Sequence, residues 1–365
     1  MDTIEIGDRA IGCEEPTFVI AEAGSNHNGD LDTARELVDV AAAAGADAVK
    51  FQTFRANELY TTDSGGVEYL DDNRSIHEII ESMEMPYEWI PELATYCERA
   101  GIFFMSTPFD ERSADELAPY VPAFKIASYT MSHHPFLQHV ADAGRPIIMS
   151  TGTHDLAEVR ESVGVLREAG ADFALLQCVA SYPTPLDSID VRVVERLAAE
   201  FDAPTGLSDH TLDPVAAPAA TVALGGSIVE KHFTLDKSMD GPDHRFALEP
   251  DELERMVETV RNVETALGTG EKRVVDVEAE LYEVARRSIH ATADIEAGTE
   301  LTTENVAVLR SGHKEKGLAP KFFETVLGRR ATRSIERDEG LSWEAVDGDP
   351  PADRLPETDA EFGRH

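Results

Sequence analysis

Four short stretches of the chain bring ionisable and hydroxyl side chains within two or three residues of one another, each at the end of an apolar run. In SIVEKHFTLD, Glu230 and His232 lie two apart, so on a strand both side chains point to one face. Ser208 and His210 do likewise in GLSDHT. Two neutral imidazoles with carboxylates nearby form a site for Mn²⁺, Mg²⁺ or Zn²⁺. Chance proximity of two among 12 histidines is the alternative. Lys50 and Gln52 share a face in VKFQTF, and Lys125 stands three residues before Ser128 in FKIASYT. Two ammonium groups and several hydroxyls at one mouth bind an anion, and together with a metal pair they favour a phosphorylated substrate. A strand lysine could instead form a Schiff base with a carbonyl substrate.

These residues need a frame that gathers them. From residue 17 to 235, short apolar runs (TFVIAEAG, ADAVKFQTF, IFFMSTPF, AFKIAS, PIIMSTG, FALLQCVASYP, APTGLSDHT, SIVEKHFTL) alternate with amphipathic stretches such as LDTARELVDVAAAAG. That rhythm predicts a parallel sheet with crossover helices, and eight units predict an α/β (β/α)8 TIM barrel closing near Gly270. An open doubly wound sheet would carry a glycine-rich first turn, and AEAGSNHNGD lacks one. Each run becomes polar only at its C-terminal end, where barrel enzymes hold their chemistry. Ordinary loop onsets favour Gly, Asn and Asp. These ends instead carry Glu22, Asn26, His27, Lys50, Gln52, Thr107, Lys125, Ser128, Ser150, Tyr182, Ser208, His210, Glu230 and His232.

A catalytic domain over residues 1–270 and a linker over 271–283 precede a small β-rich module at 284–348, whose short strand-like runs are punctuated by Gly, Asp and Thr. Residues 349–365 are acidic and proline-containing and read as a disordered tail. The net charge of -38, from 70 acidic against 32 basic residues, argues against nucleic acid as a partner. Self-repulsion on that scale fades at ~1 M salt, where the Debye length is about 3 Å, so a salt-rich, halophilic interior suits the chain. No apolar run is long enough to span a membrane and the N-terminus lacks a secretion signal, so a cytoplasmic protein is expected. Three cysteines at irregular spacing offer neither a disulfide framework nor a zinc ligand set. Lysine is scarce, which draws attention to Lys50, Lys125 and Lys231.

The motifs AEAGSNHNGD, VKFQTF, STPFD, FKIAS, STG, CVASYPTP, GLSDHT, EKHFTLD and GPDHRFALEP, in this order and spacing, resemble the N-acetylneuraminate (sialic acid) synthase family. The module after residue 283 resembles the antifreeze-like, or SAF, domain of that family. The resemblance implies condensation of phosphoenolpyruvate with N-acetylmannosamine, or a related N-acetylated hexose, with loss of phosphate. It implies His210 and His232 as metal ligands, with Mn²⁺ or Mg²⁺ as cofactor and Glu22 and Glu230 beside the metal. Lys50, Lys125, Ser128, Ser150 and Ser208 would contact phosphoenolpyruvate, and Gln52, Thr107, Tyr182 and Asp243 would face the sugar. Arg310, in LRSG, would reach into a partner's barrel, implying a domain-swapped homodimer. The family's Arg-Pro-Gly reads Arg310, Ser311, Gly312 here. Thr130 and Ala180, expected at the mouth, differ from some members and leave legionaminic- or pseudaminic-type acceptors open. The competing readings are a Schiff-base pyruvate aldolase using Lys125 and a carbohydrate- or ice-binding protein with an inert barrel.

Overall fold

The structure, a computed structural model, describes residues 3–61 and 75–351. It divides into two compact units, Met1–Thr269 and Gly270–His365. The first opens with an antiparallel hairpin, β1 (Ile4–Ile6) and β2 (Arg9–Ile11). Eight parallel strands follow: β3 (Phe18–Gly24), β4 (Ala48–Thr53), β5 (Phe103–Pro108), β6 (Phe124–Ile126), β7 (Ile147–Ser150), β8 (Phe173–Cys178), β9 (Thr205–Asp209) and β10 (Ile228–His232). They pair in the order β5-β4-β3-β10-β9-β8-β7-β6, and β5 lies beside β6 without a ladder between them, so the barrel is nearly closed. A helix follows each strand before the next, from Leu31–Ala43 after β3 to Pro250–Leu267 after β10. Acidic side chains start several of them: Asp30 accepts from the Thr33 amide at 2.7 Å, and Asp155 forms a capping box with Glu158.

The alternation of a strand explains how one sequence serves two cores. Val19, Val49, Phe104, Phe124, Met149, Leu175 and Val229 point outward and pack against the helices. Phe18, Ile20, Ala48, Met105, Ile148, Ala174, Leu176 and Ile228 point inward and fill the lower barrel. The hairpin completes that inner core by inserting Ile4, Ile6 and Ile11. Continuing upward on the same inward faces, the next positions are Glu22, Lys50, Thr107, Lys125, Ser150, Cys178, Ser208 and Glu230. Apolar layers therefore plug the base and ionisable ones occupy the mouth.

In the second unit, β11 (Arg287–Ala291) and β12 (Val306–Arg310) pair antiparallel over a small apolar core that includes Ile289, Leu301, Val306 and Leu341. Residues 271–283 contain a 3-10 turn at Asp276–Glu278 and enter the helix Ala279–Val284. Of the expected tail, residues 352–365 lie outside the described residues. Among the described residues no helix is long and apolar enough to cross a membrane.

Candidate active site

At the mouth, two lysines and two glutamates are buried together. Lys50 Nζ lies 2.5 Å from Glu22 Oε2 and 3.8 Å from Glu230 Oε2, and donates to Thr107 Oγ1 at 3.1 Å. Lys125 Nζ donates to Ser150 Oγ at 2.8 Å and lies 3.5 Å from Glu230 Oε1. Gln52 donates to Glu22 Oε1 at 2.9 Å, and Ser208 to Glu230 Oε1 at 3.0 Å. The opposite charges offset the desolvation that would otherwise exclude ions from such a site. Burial alone would lower the Lys50 pKa, but Glu22 and Glu230 outweigh it and hold it above its ordinary value. For Lys125 burial wins over Glu230 and the pKa falls. Burial raises Glu22 to about 6 against the pull of Lys50, whereas Lys125 and Lys50 overcome burial at Glu230 and lower it. Two neighbouring carboxylates with pKa values driven apart are the arrangement that separates acid from base roles.

The imidazoles stand beside this cluster. His210 and His232 have ring centroids 5.4 Å apart, and Tyr182 packs 4.3 Å from the His210 ring. His210 Nδ1 lies 2.9 Å from the Val179 carbonyl, which can only accept, so that nitrogen donates. Burial would lower the His210 pKa, but the Cys178 sulfur and that carbonyl outweigh it and hold it above its ordinary value. His232 is held well below its ordinary pKa by burial, reinforced by His210, and is neutral. Its Nδ1 is buried without a hydrogen-bond partner, 3.7 Å from Asp243 Oδ2. The second ring nitrogen of His210, which the Val179 bond leaves available, and the orphaned Nδ1 of His232 fit a divalent cation. Among the described residues no three His, Cys, Asp or Glu side chains converge as a complete metal site, so such an ion would draw further ligands from water or substrate.

Space for a reacting molecule is built into the backbone. The β3–β4 register shifts between Glu22 and Gly24, and Gly24 takes φ +55°. A Cβ at Gly24 would point to within 3.4 Å of Asp243 Oδ2 and 3.6 Å of Gln52 Nε2 and Glu22 Oε1, so glycine keeps the volume among them open. Gly152, in the STG motif, donates its amide to Ser128 Oγ at 2.9 Å.

A cavity of about 60 Å³ is lined by Glu22, Lys50, Gln52, Thr107, Lys125, Ser128, Ser150, Tyr182, Ser208, His210, Glu230 and His232. Asp243 adjoins it through His232. Arg310 belongs to the second unit, exposed at the end of β12 and directly opposite the exposed Arg287. Thr130 and Ala180 do not line this cavity, contrary to expectation. Thr130 is buried in the turn after β6, and the exposed neighbour Tyr129 takes the lining position instead. Lys231 also stays away from the mouth. Alternation sends it to the outer face, where it pairs with Asp209 at 2.7 Å. Sequence reasoning missed that pair, Gly24 and the Cys178 thiol 3.9 Å from His210 Nδ1. The period-two pattern of EKH was the available signal for the first.

Buried cations, carboxylates and imidazoles gathered at the strand ends of a barrel are the arrangement of a barrel enzyme's active site. The chain belongs to the NeuB family, whose model matches residues 37–272, and an SAF domain matches residues 286–347. It is 43% identical to the spore coat polysaccharide biosynthesis protein SpsE of Bacillus subtilis over 95% of this chain and 98% of that one. It is 38% identical to N,N'-diacetyllegionaminic acid synthase of Legionella pneumophila, over 93% of this chain and 98% of that one. The crystal structure of an N-acetylneuraminic acid (sialic acid) synthetase from Leptospira borgpetersenii superposes with a TM-score of 0.69 at 31% identity, covering 77% of this chain and 95% of that one.

Proposed function

We propose that the protein condenses phosphoenolpyruvate with an N-acetylated hexose of the mannosamine type and water, giving a nonulosonic acid and phosphate. The observation that carries this reading is the buried cluster of Lys50, Lys125, Glu22 and Glu230 next to two imidazoles. C3 of phosphoenolpyruvate bonds to the aldehyde carbon of the open-chain sugar. Water adds at C2, the bond from C2 to the bridging oxygen breaks, and that oxygen leaves with phosphate. One proton of the water ends on the former aldehyde oxygen and the other departs with phosphate.

Lys50 and Lys125, with Ser128, Ser150 and Ser208, hold the carboxylate and phosphate and neutralise charge as it develops. Glu22, raised to about 6 by burial, holds and orients the water and takes its proton. Gln52, Thr107, Tyr182 and Asp243 position the sugar. His210 and His232 would hold Mn²⁺ or Mg²⁺, which when bound supplies Lewis-acid polarisation of the aldehyde. Similarity to a legionaminic acid synthase makes a diacetamido hexose the first alternative to N-acetylmannosamine, with pseudaminic-type sugars next. A phosphate-release screen over these acceptors at ~1 M salt, with Mn²⁺ or Mg²⁺, tests the reading. Release that requires phosphoenolpyruvate and one of these sugars is expected, and no release with any of them sinks it.

Arg310 completes the site from a second copy in a domain-swapped homodimer of a cytoplasmic protein. Its position opposite Arg287 concentrates positive charge at that end of the strand pair, which supports a role in meeting an anion. Mixed dimers of Arg310→Ala and His232→Ala chains should then regain activity that neither variant has alone. Failure to complement would remove the exchange. The lowered pKa of Lys125 favours a second reading, a Schiff-base aldolase. Borohydride trapping of pyruvate on Lys125 would establish it in place of the first.

A further inference from the structure

The outer faces of β9 and β10 carry a buried ion pair beside Leu207 and Val229. Asp209 and Lys231 are register partners, fully buried behind the strand ends that present His210 and His232 to the mouth. Lys231 Nζ donates to Asp209 Oδ2 at 2.7 Å, to the Thr211 carbonyl, and to Thr211 Oγ1 at 3.3 Å. Asp209 accepts from the Thr211 amide at 2.8 Å and from its hydroxyl at 3.1 Å. The network thus ties residues 209 and 211, on either side of His210, to the residue that immediately precedes His232.

A buried ion pair is a poor way to gain stability, because apolar side chains of similar volume serve as well or better. What this pair does supply is position. The backbone ladder between β9 and β10 ends at this pair, and the short directional bonds of Lys231 carry the connection past it to Thr211, so they help fix the spacing of the two imidazoles that lie just beyond the ladder. We infer that Asp209 and Lys231 are positioning residues for cation binding, setting the separation of His210 and His232 without touching the ion. The inference rests on the reading of those two histidines as metal ligands.

The test uses the full-length double variant Asp209→Leu/Lys231→Met, which removes both charges at once and leaves neither buried alone. Calorimetric titration with Mn²⁺ should show affinity weakened about tenfold or more, as for supporting groups behind metal ligands. Phosphoenolpyruvate affinity measured without metal, which depends on Lys50 and Lys125, should stay within about twofold, because packing is kept. Lys231→Arg, which keeps the charge and the pairing, should recover most of the Mn²⁺ affinity. Unchanged Mn²⁺ affinity in the double variant overturns the inference, and so does equal loss of both affinities or failure to fold, since the pair would then serve the barrel as a whole. A wild-type protein that binds no Mn²⁺ or Mg²⁺ removes the metal reading itself, and the inference with it.

Discussion

The inward positions of the eight strands carry one chemistry at the base of the barrel and another at its mouth, although one set of backbones supplies both. At the base, Phe18, Ile20, Met105, Ile148, Leu176 and Ile228 close over Ile4, Ile6 and Ile11 of the hairpin in a dry, apolar plug. One or two alternations higher, the same strands present Glu22, Lys50, Lys125, Ser208, Glu230 and His232. The difference teaches that the lower layers carry the free energy of folding and leave the upper layer free to hold groups that contribute little to it. Cavity size would mislead here. A recess of about 930 Å³ beside the hairpin, lined by Arg9, Asp47, Tyr120 and Arg145, is far larger than the cavity of about 60 Å³ at the mouth. The small one holds the convergent ionisable groups, and those, not volume, mark a site.

Three perturbations would break or sharpen this contrast. Replacing His232 by Ala at the mouth should lower the rate of phosphate release on the order of 10³-fold, the scale of losing one key electrostatic group. The melting temperature should barely move; a cooperative loss of structure in that variant would mean the upper layer also holds the fold. At the base, Ile6→Ala should cost ~2–5 kcal/mol of unfolding free energy in a urea titration, from lost burial and the cavity left behind. The folded fraction should keep its full turnover, and a matching fall in kcat would blur the division between the two ends.

The smallest effect concerns His27, fully buried between Phe51 and Trp89 in the loop after β3. Burial lowers its pKa from 6.5 to about 4, so between those values the unfolded chain binds a proton that the folded chain refuses. Stability present above pH 6.5 is therefore lost as pH falls towards about 4, by ~3 kcal/mol in total. His27→Gln, which keeps an acceptor for the Gly29 amide, should flatten that slope relative to the parent. Identical pH profiles would show that the ring is not the source.

Much of this arrangement was legible in the sequence because parallel strands buried on both faces read as short apolar runs, and the runs that turn ionisable at one end point to the mouth. The hairpin was not legible. Its strands are three residues each, and Ile4, Ile6 and Ile11 gain meaning only from the distant residues they cover. Lys231 was singled out for its scarcity, but alternation within EKH puts it on the face opposite Glu230 and His232. Thr130 was expected at the mouth from the family resemblance, yet the chain turns after Ala127 and the lining position falls to Tyr129. Gly24 reads as one glycine among 25, and its role depends on a bulge that only the paired strands reveal.

The most direct measurement of the central claim follows the bridging oxygen of phosphoenolpyruvate. With that oxygen labelled as ¹⁸O and an N-acetylated hexose supplied, the released phosphate should carry the label, its appearance should require both substrates, and one nonulosonic acid should form per phosphate. Label retained in the organic product, or phosphate released without the sugar, would contradict the account.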